Sequence, residues 1–230
     1  MPNSIVDVII PAHNEESSIS YVINDIPSKW IRHIIVSENN CSDRTAEMAE
    51  NAGAIVVSEN RKGYGYACLK GIQFVKNLEI KPDILVFIDG DYSDYPEQLP
   101  ELVKPIERDG FDLVIASRAL GELENGAMTI PQIFGNWLAT TLIRLFYQVS
   151  FTDLGPFRAI KYDQLMKIDM QDKTFGWTVE MQVKAAKMKM KCMEIPARYR
   201  KRIGKSKVSG TVKGTFLAGY KILWTIFKLL

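Results

Sequence analysis

Two rhythms of apolar residues alternate along the first half of the chain. Short runs rich in β-branched residues at 5–11, 33–37, 54–58, 83–89 and 113–117 have the length and composition of strands. Between them lie stretches with helical spacing. These cover 17–26, entered through Asn14-Glu15-Glu16; a segment capped by Ser42 or Asp43 and stopped at Gly53; 64–77; and 96–109, ended by Gly110. The order βαβαβαβαβ predicts an α/β protein with a mainly parallel sheet and helices on both faces.

The second half changes character. Phe134, Trp137, Leu138, Thr141, Leu142 and Leu145 recur at helical spacing, with Asn136, Thr140 and Arg144 on another ridge. This amphipathic helix reads either as ordinary core packing or as the floor of a lipid-facing groove. A helix near 178–189 carrying Glu180 and a strand near 190–197 follow. Residues 216–230 are almost wholly apolar but too few for the roughly 18 to 20 of a membrane span. Lys221, Thr225 and Lys228 make one narrow polar stripe there. The segment is expected to be either soluble core or an interfacial helix with its lysines near anionic headgroups.

A chain of 230 residues without a Ser/Gly/Pro-rich linker favours one large domain. The net charge is only +2, but Lys and Arg crowd 184–213, which points to an anionic partner, either phosphate groups or a membrane surface. Cys41, Cys68 and Cys192 lie far apart and are read as reduced thiols of a cytoplasmic protein. The N-terminus has neither a basic n-region nor a long apolar h-region, so no signal peptide is expected.

Ile84-Leu85-Val86-Phe87-Ile88 reads as a strand covered on both faces, and it runs into Asp89-Gly90-Asp91. Strand alternation places both carboxylates on one side, with Gly90 letting a ligand approach the backbone. Such a pair at a strand's carboxyl end can hold a divalent metal and, through it, a diphosphate; the alternative is an acidic turn after a core strand. Pro11-Ala12-His13-Asn14-Glu15, Ser37-Glu38-Asn39-Asn40 and Lys62-Gly63 follow the other strands and share the same rim. No Gly-x-Gly-x-x-Gly follows Ile10, which argues against a dinucleotide dehydrogenase, and Walker A and Gly-x-Ser-x-Gly sequences are absent.

Taken in order, Ile10-Pro11-Ala12-His13-Asn14-Glu15, 37–45, Lys62-Gly63-Tyr64-Gly65 with Ala67, Asp89-x-Asp91, 153–158 and 202–207 resemble the inverting glycosyltransferases of family 2, on the branch of dolichyl- and polyprenyl-phosphate sugar synthases. The resemblance covers about residues 5–210 and implies a GT-A (Rossmann-like) fold: a transferase domain over 1–212 and an amphipathic C-terminal helix over 213–230. It implies transfer from a UDP- or GDP-sugar to polyprenyl phosphate or another lipid, on a cytoplasmic protein with peripheral attachment to the inner membrane face. A saccharide hydroxyl as acceptor, a nucleotidyltransferase and a non-catalytic nucleotide-sugar-binding protein stand as alternatives. No nucleic-acid partner is expected.

The implied donor site comprises Pro11, Ala12, Asn14, Glu15, Glu38, Asn39, Lys62, Gly63, Asp89, Gly90, Asp91, Arg202 and Lys207. Asp91 is the expected direct ligand of Mg²⁺ or Mn²⁺, and Asp89 contacts ribose, a metal-bound water or the metal. Arg202 and Lys207 are expected to close over the diphosphate. Asp153 orients or deprotonates the acceptor, or caps a turn. Arg118 and Arg158 bind an acceptor phosphate or pair with carboxylates. Glu180 is a second candidate base, and His13 is read as a stacking or structural residue.

Overall fold

The computed structural model describes residues 4–204 and 212–230. Its strands are β1 Val6–Ala12, β2 His33–Asn39, β3 Ile55–Glu59, β4 Ile84–Phe87, β5 Leu113–Ser117, β6 Arg158–Lys161 and β7 Cys192–Pro196. They form one sheet in the order β3-β2-β1-β4-β6-β5-β7. Every neighbouring pair is parallel except the two made by β6, which runs against both β4 and β5. The expected mainly parallel sheet is present, with a reversed strand that the apolar pattern did not reveal. β6 has only four residues and opens on an arginine, so it carries no strand rhythm.

The helices are α1 Ile19–Asp25, α2 Thr45–Asn51, α3 Tyr64–Asn77, α4 Leu99–Asp109, α5 Ile130–Tyr147, α6 Tyr162–Ile168, α7 Trp177–Lys187 and α8 Val212–Lys228. Alternation along the strands divides the core between the two faces. Val8, Ile10 and Val86 pack with Ile19 and Leu102, whereas Ile9, Leu85 and Phe87 pack with Ile72 and Trp177. Each such side chain contributes roughly 1.5 to 3 kcal/mol on burial.

Two helices depart from ordinary amphipathicity. On α5 the buried residues are Ala139, Thr140 and Ile143, while Phe134 and Trp137 are each 58% exposed and Leu145 is 68% exposed. Half of the apolar ridge read from the sequence therefore points outward, while Leu138, Thr141 and Leu142 are half-buried and Leu142 packs against the core. On α8 two of the three polar-stripe residues turn inward: Thr225 is buried, and Lys221 Nζ lies 2.9 Å from Asp172 Oδ2, whereas Lys228 is exposed. Ile226 anchors α8 in the core, and Phe216, Tyr220, Trp224 and Phe227 face out. Among the described residues, no helix is long and apolar enough to cross a membrane.

Candidate active site

The carboxyl ends of β1, β2, β3 and β4 surround a cavity of about 450 Å³. Pro11, Ala12, His13 and Glu15 enter from β1 and its turn, and Asn39 from β2. Lys62 and Gly63 enter from the loop before α3, and Asp89, Gly90 and Asp91 from the turn after β4. Arg202 reaches in from the segment after β7. Tyr64, part of the Lys62–Gly65 motif though not named as a site residue, also lines the cavity, as do Thr174 and Phe175, to which no sequence signal had drawn attention.

β4 ends at Phe87, so Asp89 and Asp91 meet through a turn, with Tyr92 at φ 63°, and not through strand alternation. Asp89 accepts the Tyr64 hydroxyl at 2.9 Å. Burial, reinforced by the charge of Asp91, pushes the Asp89 carboxyl up to about 7. Asp91 Oδ1 accepts Ser93 N at 3.0 Å and Ser93 Oγ at 2.5 Å. Its Oδ2 lies 3.1 Å from Arg202 Nη2, which also donates to Glu15 Oε1 at 3.1 Å. Arg202 thus bridges the first and fourth strand ends. A Cβ at Gly90 would meet Ile19 and Ala12 at 3.4 and 3.5 Å, on the core side, so backbone access does not depend on glycine there.

The wall opposite is built by close backbone approach. A Cβ at Gly63 or Gly65 would overlap the carbonyls of Lys173 and Asp172, so these glycines let the 172–176 loop lie on the start of α3. Asn39 fixes the same wall by donating to Arg61 O at 2.7 Å and accepting Gly63 N at 2.9 Å. His13 Nδ1 is 2.7 Å from Asn39 O, in keeping with a structural role.

Three expected site residues fall elsewhere, and a fourth lies outside the described residues. Glu38 accepts the backbone N–H of Cys41 and does not line the cavity. Asn14, at φ 55°, turns toward Ser42 and accepts its N–H at 2.8 Å. Arg158, expected to bind an acceptor phosphate or to pair with carboxylates, is fully buried under the loop before β6, donating to the carbonyls of Leu154, Gly155 and Thr178. Burial pulls its guanidinium down to about 10. Lys207 lies outside the described residues. Glu180, the second candidate base, is consumed by the N–H groups of Gln171 and Asp172 and by Lys184.

A second cavity of about 310 Å³ adjoins the first through Tyr64, Asp89, Asp91, Phe175 and Arg202, which line both. It continues past Arg118 and Tyr199 and then between α5 and α8, along Gly135 and Asn136 on one side and Ala218, Gly219 and Ile222 on the other. A Cβ at Gly135 or Gly219 would project into open space. Asp153, fully buried, binds Arg118 through Nε–Oδ2 and Nη2–Oδ1, both 2.7 Å. Burial opposes its ionisation, but the Arg118 charge and hydrogen bonds outweigh it and hold the carboxyl below the usual range. A carboxylate so engaged is a poor proton acceptor; its geometry is that of a positioning group.

The sheet order with one reversed strand and a carboxylate pair at the rim defines a GT-A protein, and solved structures agree. The chain superimposes on glucosyl-3-phosphoglycerate synthase from Mycobacterium tuberculosis, crystallised with Mn²⁺, UDP and phosphoglyceric acid, with a TM-score of 0.78 at 20% identity over 99% of this chain and 78% of that one. The chain belongs to glycosyl transferase family 2, whose family model matches residues 7–169. It is 32% identical to an uncharacterized glycosyltransferase of M. tuberculosis over 95% of this chain and 96% of the relative. It is 28% identical to the undecaprenyl-phosphate mannosyltransferase of Micrococcus luteus over 90% and 88%.

Proposed function

We propose that this glycosyltransferase moves a sugar from a UDP- or GDP-sugar to polyprenyl phosphate at a membrane surface, with inversion at the anomeric carbon. The observation that carries this reading is the groove that leaves the Asp89–Asp91 turn, passes Arg118 and opens between two helices whose outer faces are apolar. A water-soluble acceptor gives no reason for exposed Phe134, Trp137, Phe216 and Trp224 beside its entry, whereas a lipid tail does. Residues 1–212 then form the transferase domain and the helix at 213–230 its lipid-facing edge, resting on the inner leaflet.

The first cavity takes the nucleoside diphosphate, with Lys62 and Arg202 supplying positive charge. Asp89 and Asp91 suit Mg²⁺ or Mn²⁺. They are two neighbouring carboxylates, with burial and then the charge of Asp91 raising Asp89 to about 7, and no third carboxylate, His or Cys forms a metal-binding group with them among the described residues. That donor set matches an ion that keeps waters and takes the rest of its shell from substrate phosphates. When bound, the metal offsets the charge that develops on the departing diphosphate. Arg118, held by Asp153, meets the acceptor phosphate. That phosphate is already ionised, so one of its oxygens attacks C1 without a protein base while the electron pair of the C1–oxygen bond leaves with the nucleoside diphosphate.

Labelled UDP- and GDP-hexoses with Mn²⁺ or Mg²⁺ and vesicles containing polyprenyl phosphate test this directly. A labelled, charged lipid product supports the reading; a water-soluble glycoside formed in preference to it overturns it.

A further inference from the structure

Asn136 stands on α5 in the wall of the second cavity, one turn before the buried Thr140. Its Oδ1 accepts Leu154 N at 2.8 Å and its Nδ2 donates to Thr152 O at 2.9 Å. One amide thus clips the backbone on both sides of Asp153. The remaining backbone groups are held as well: Glu194 on β7 accepts Thr152 N at 2.8 Å and Asp153 N at 3.1 Å, and Gln182 on α7 donates to Asp153 O at 2.9 Å. Gln182 is fully buried, whereas Asn136 is half-buried and faces the groove. Of these holders, Asn136 is the one on a helix whose outer face, at Ile133, Phe134 and Trp137, is apolar and exposed.

We propose that Asn136 is a positioning residue: its side-chain amide sets the 152–154 backbone, and through Asp153 the Arg118 guanidinium, in register with the acceptor groove. An Asp153 carboxylate that turns by a fraction of an ångström carries Arg118 with it, because the pair is bidentate. The seat of α5 and the aim of Arg118 are therefore one mechanical unit. This inference rests on the reading of Arg118 as the group that meets the acceptor phosphate.

The test compares wild type with Asn136→Leu, which keeps the side-chain shape but makes neither hydrogen bond, and with Asn136→Gln, which keeps the amide on a longer stem. Three quantities are measured in the full chain: UDP affinity with Mn²⁺ by calorimetry, the unfolding midpoint, and kcat and KM for polyprenyl phosphate in vesicles. Loss of two neutral hydrogen bonds predicts a rise of roughly tenfold in acceptor KM for Asn136→Leu, with kcat and UDP affinity near wild type and partial recovery in Asn136→Gln. An unchanged acceptor KM, or a fall in midpoint with donor and acceptor weakened alike, overturns the proposal. If wild type transfers to no lipid phosphate while still binding UDP, the acceptor reading fails, and this inference fails with it.

Discussion

Arg118 grips both oxygens of Asp153, at 2.7 Å each, and its own backbone N–H donates to Oδ2 of the same carboxylate at 2.8 Å. A carboxylate with three charge-assisted or backbone donors on it holds an arginine still; it has little capacity to take a proton. The first prediction concerns Asp153→Asn. If Asp153 positions Arg118, the variant is destabilised by roughly 3 to 5 kcal/mol, as for other broken buried pairs, and its residual activity keeps the wild-type pH profile. A general base would instead take the acidic limb of the profile with it, and turnover would drop about 10² to 10⁴-fold in a stable protein. Chemical denaturation and a kcat/KM titration distinguish the two.

Arg158 and Arg118 looked equivalent as acceptor ligands, and their surroundings separate them. Arg158 is sealed beneath the loop before β6 and saturates carbonyls there, so Arg158→Ala should lower stability by roughly 3 kcal/mol or more, since several buried acceptors lose a charged donor. Whatever remains folded should bind acceptor normally. A stable Arg158→Ala protein with weakened acceptor binding would restore its direct role.

Asp89 supplies a pH dependence. With its carboxyl raised to about 7, the metal-free folded state binds a proton that the unfolded state has already released in the window between the ordinary carboxylate range and about 7. The contribution of this group to stability therefore falls as pH rises through that window. A divalent cation must displace the proton, so Mn²⁺-dependent UDP binding should strengthen from pH 6 to 8 with proton release, measurable by calorimetry in buffers of different ionisation enthalpy. Asp91→Asn should abolish most of the metal-dependent part, because a neutral amide cannot offset the cation's charge.

The outward aromatics make the membrane claim testable without removing a helix. Deleting α8 would strip Ile226 from the core and the Tyr147 hydroxyl from its 2.6 Å bond to Ile226 O, so truncation confuses folding with docking. Trp137→Glu and Trp224→Glu alter exposed positions and should shift stability by about 0.5 kcal/mol or less. Each should lower cosedimentation with anionic vesicles severalfold. Unchanged sedimentation of the double variant would show that lipid does not cover this face.

The strand–helix alternation of the first half was legible because β1, β2, β3, β4 and β5 each contain a short run of apolar, largely β-branched residues and α4 has a clear end at Gly110 with φ 72°. Most residues of the first cavity were legible for the same reason: a parallel sheet brings strand ends to one rim, and the polar residues there announce themselves. Failures arose where a contact spans distant segments. Nothing local shows that Arg158 turns under its own loop or that Glu38 is taken by Cys41. Thr174 and Phe175 reach the cavity only because Gly63 and Gly65 admit their loop, an approach that requires the third dimension. The ridge of α5 was correctly seen as apolar, but periodicity cannot tell an inward face from an outward one. Among the described residues of the basic run at 184–213, several cations are taken by internal carboxylates, as with Arg202 on Asp91 and Lys184 on Glu180.

The central claim is that the groove past Arg118 delivers a phosphate on a lipid tail. It is tested most directly by presenting wild-type protein with polyprenyl phosphate and with polyprenol of the same chain length, in otherwise identical vesicles, together with its preferred labelled nucleotide sugar. The account predicts transfer to the phosphate, yielding an acid-labile glycosyl phosphate, and none to the alcohol. Equal or preferential transfer to polyprenol would contradict it.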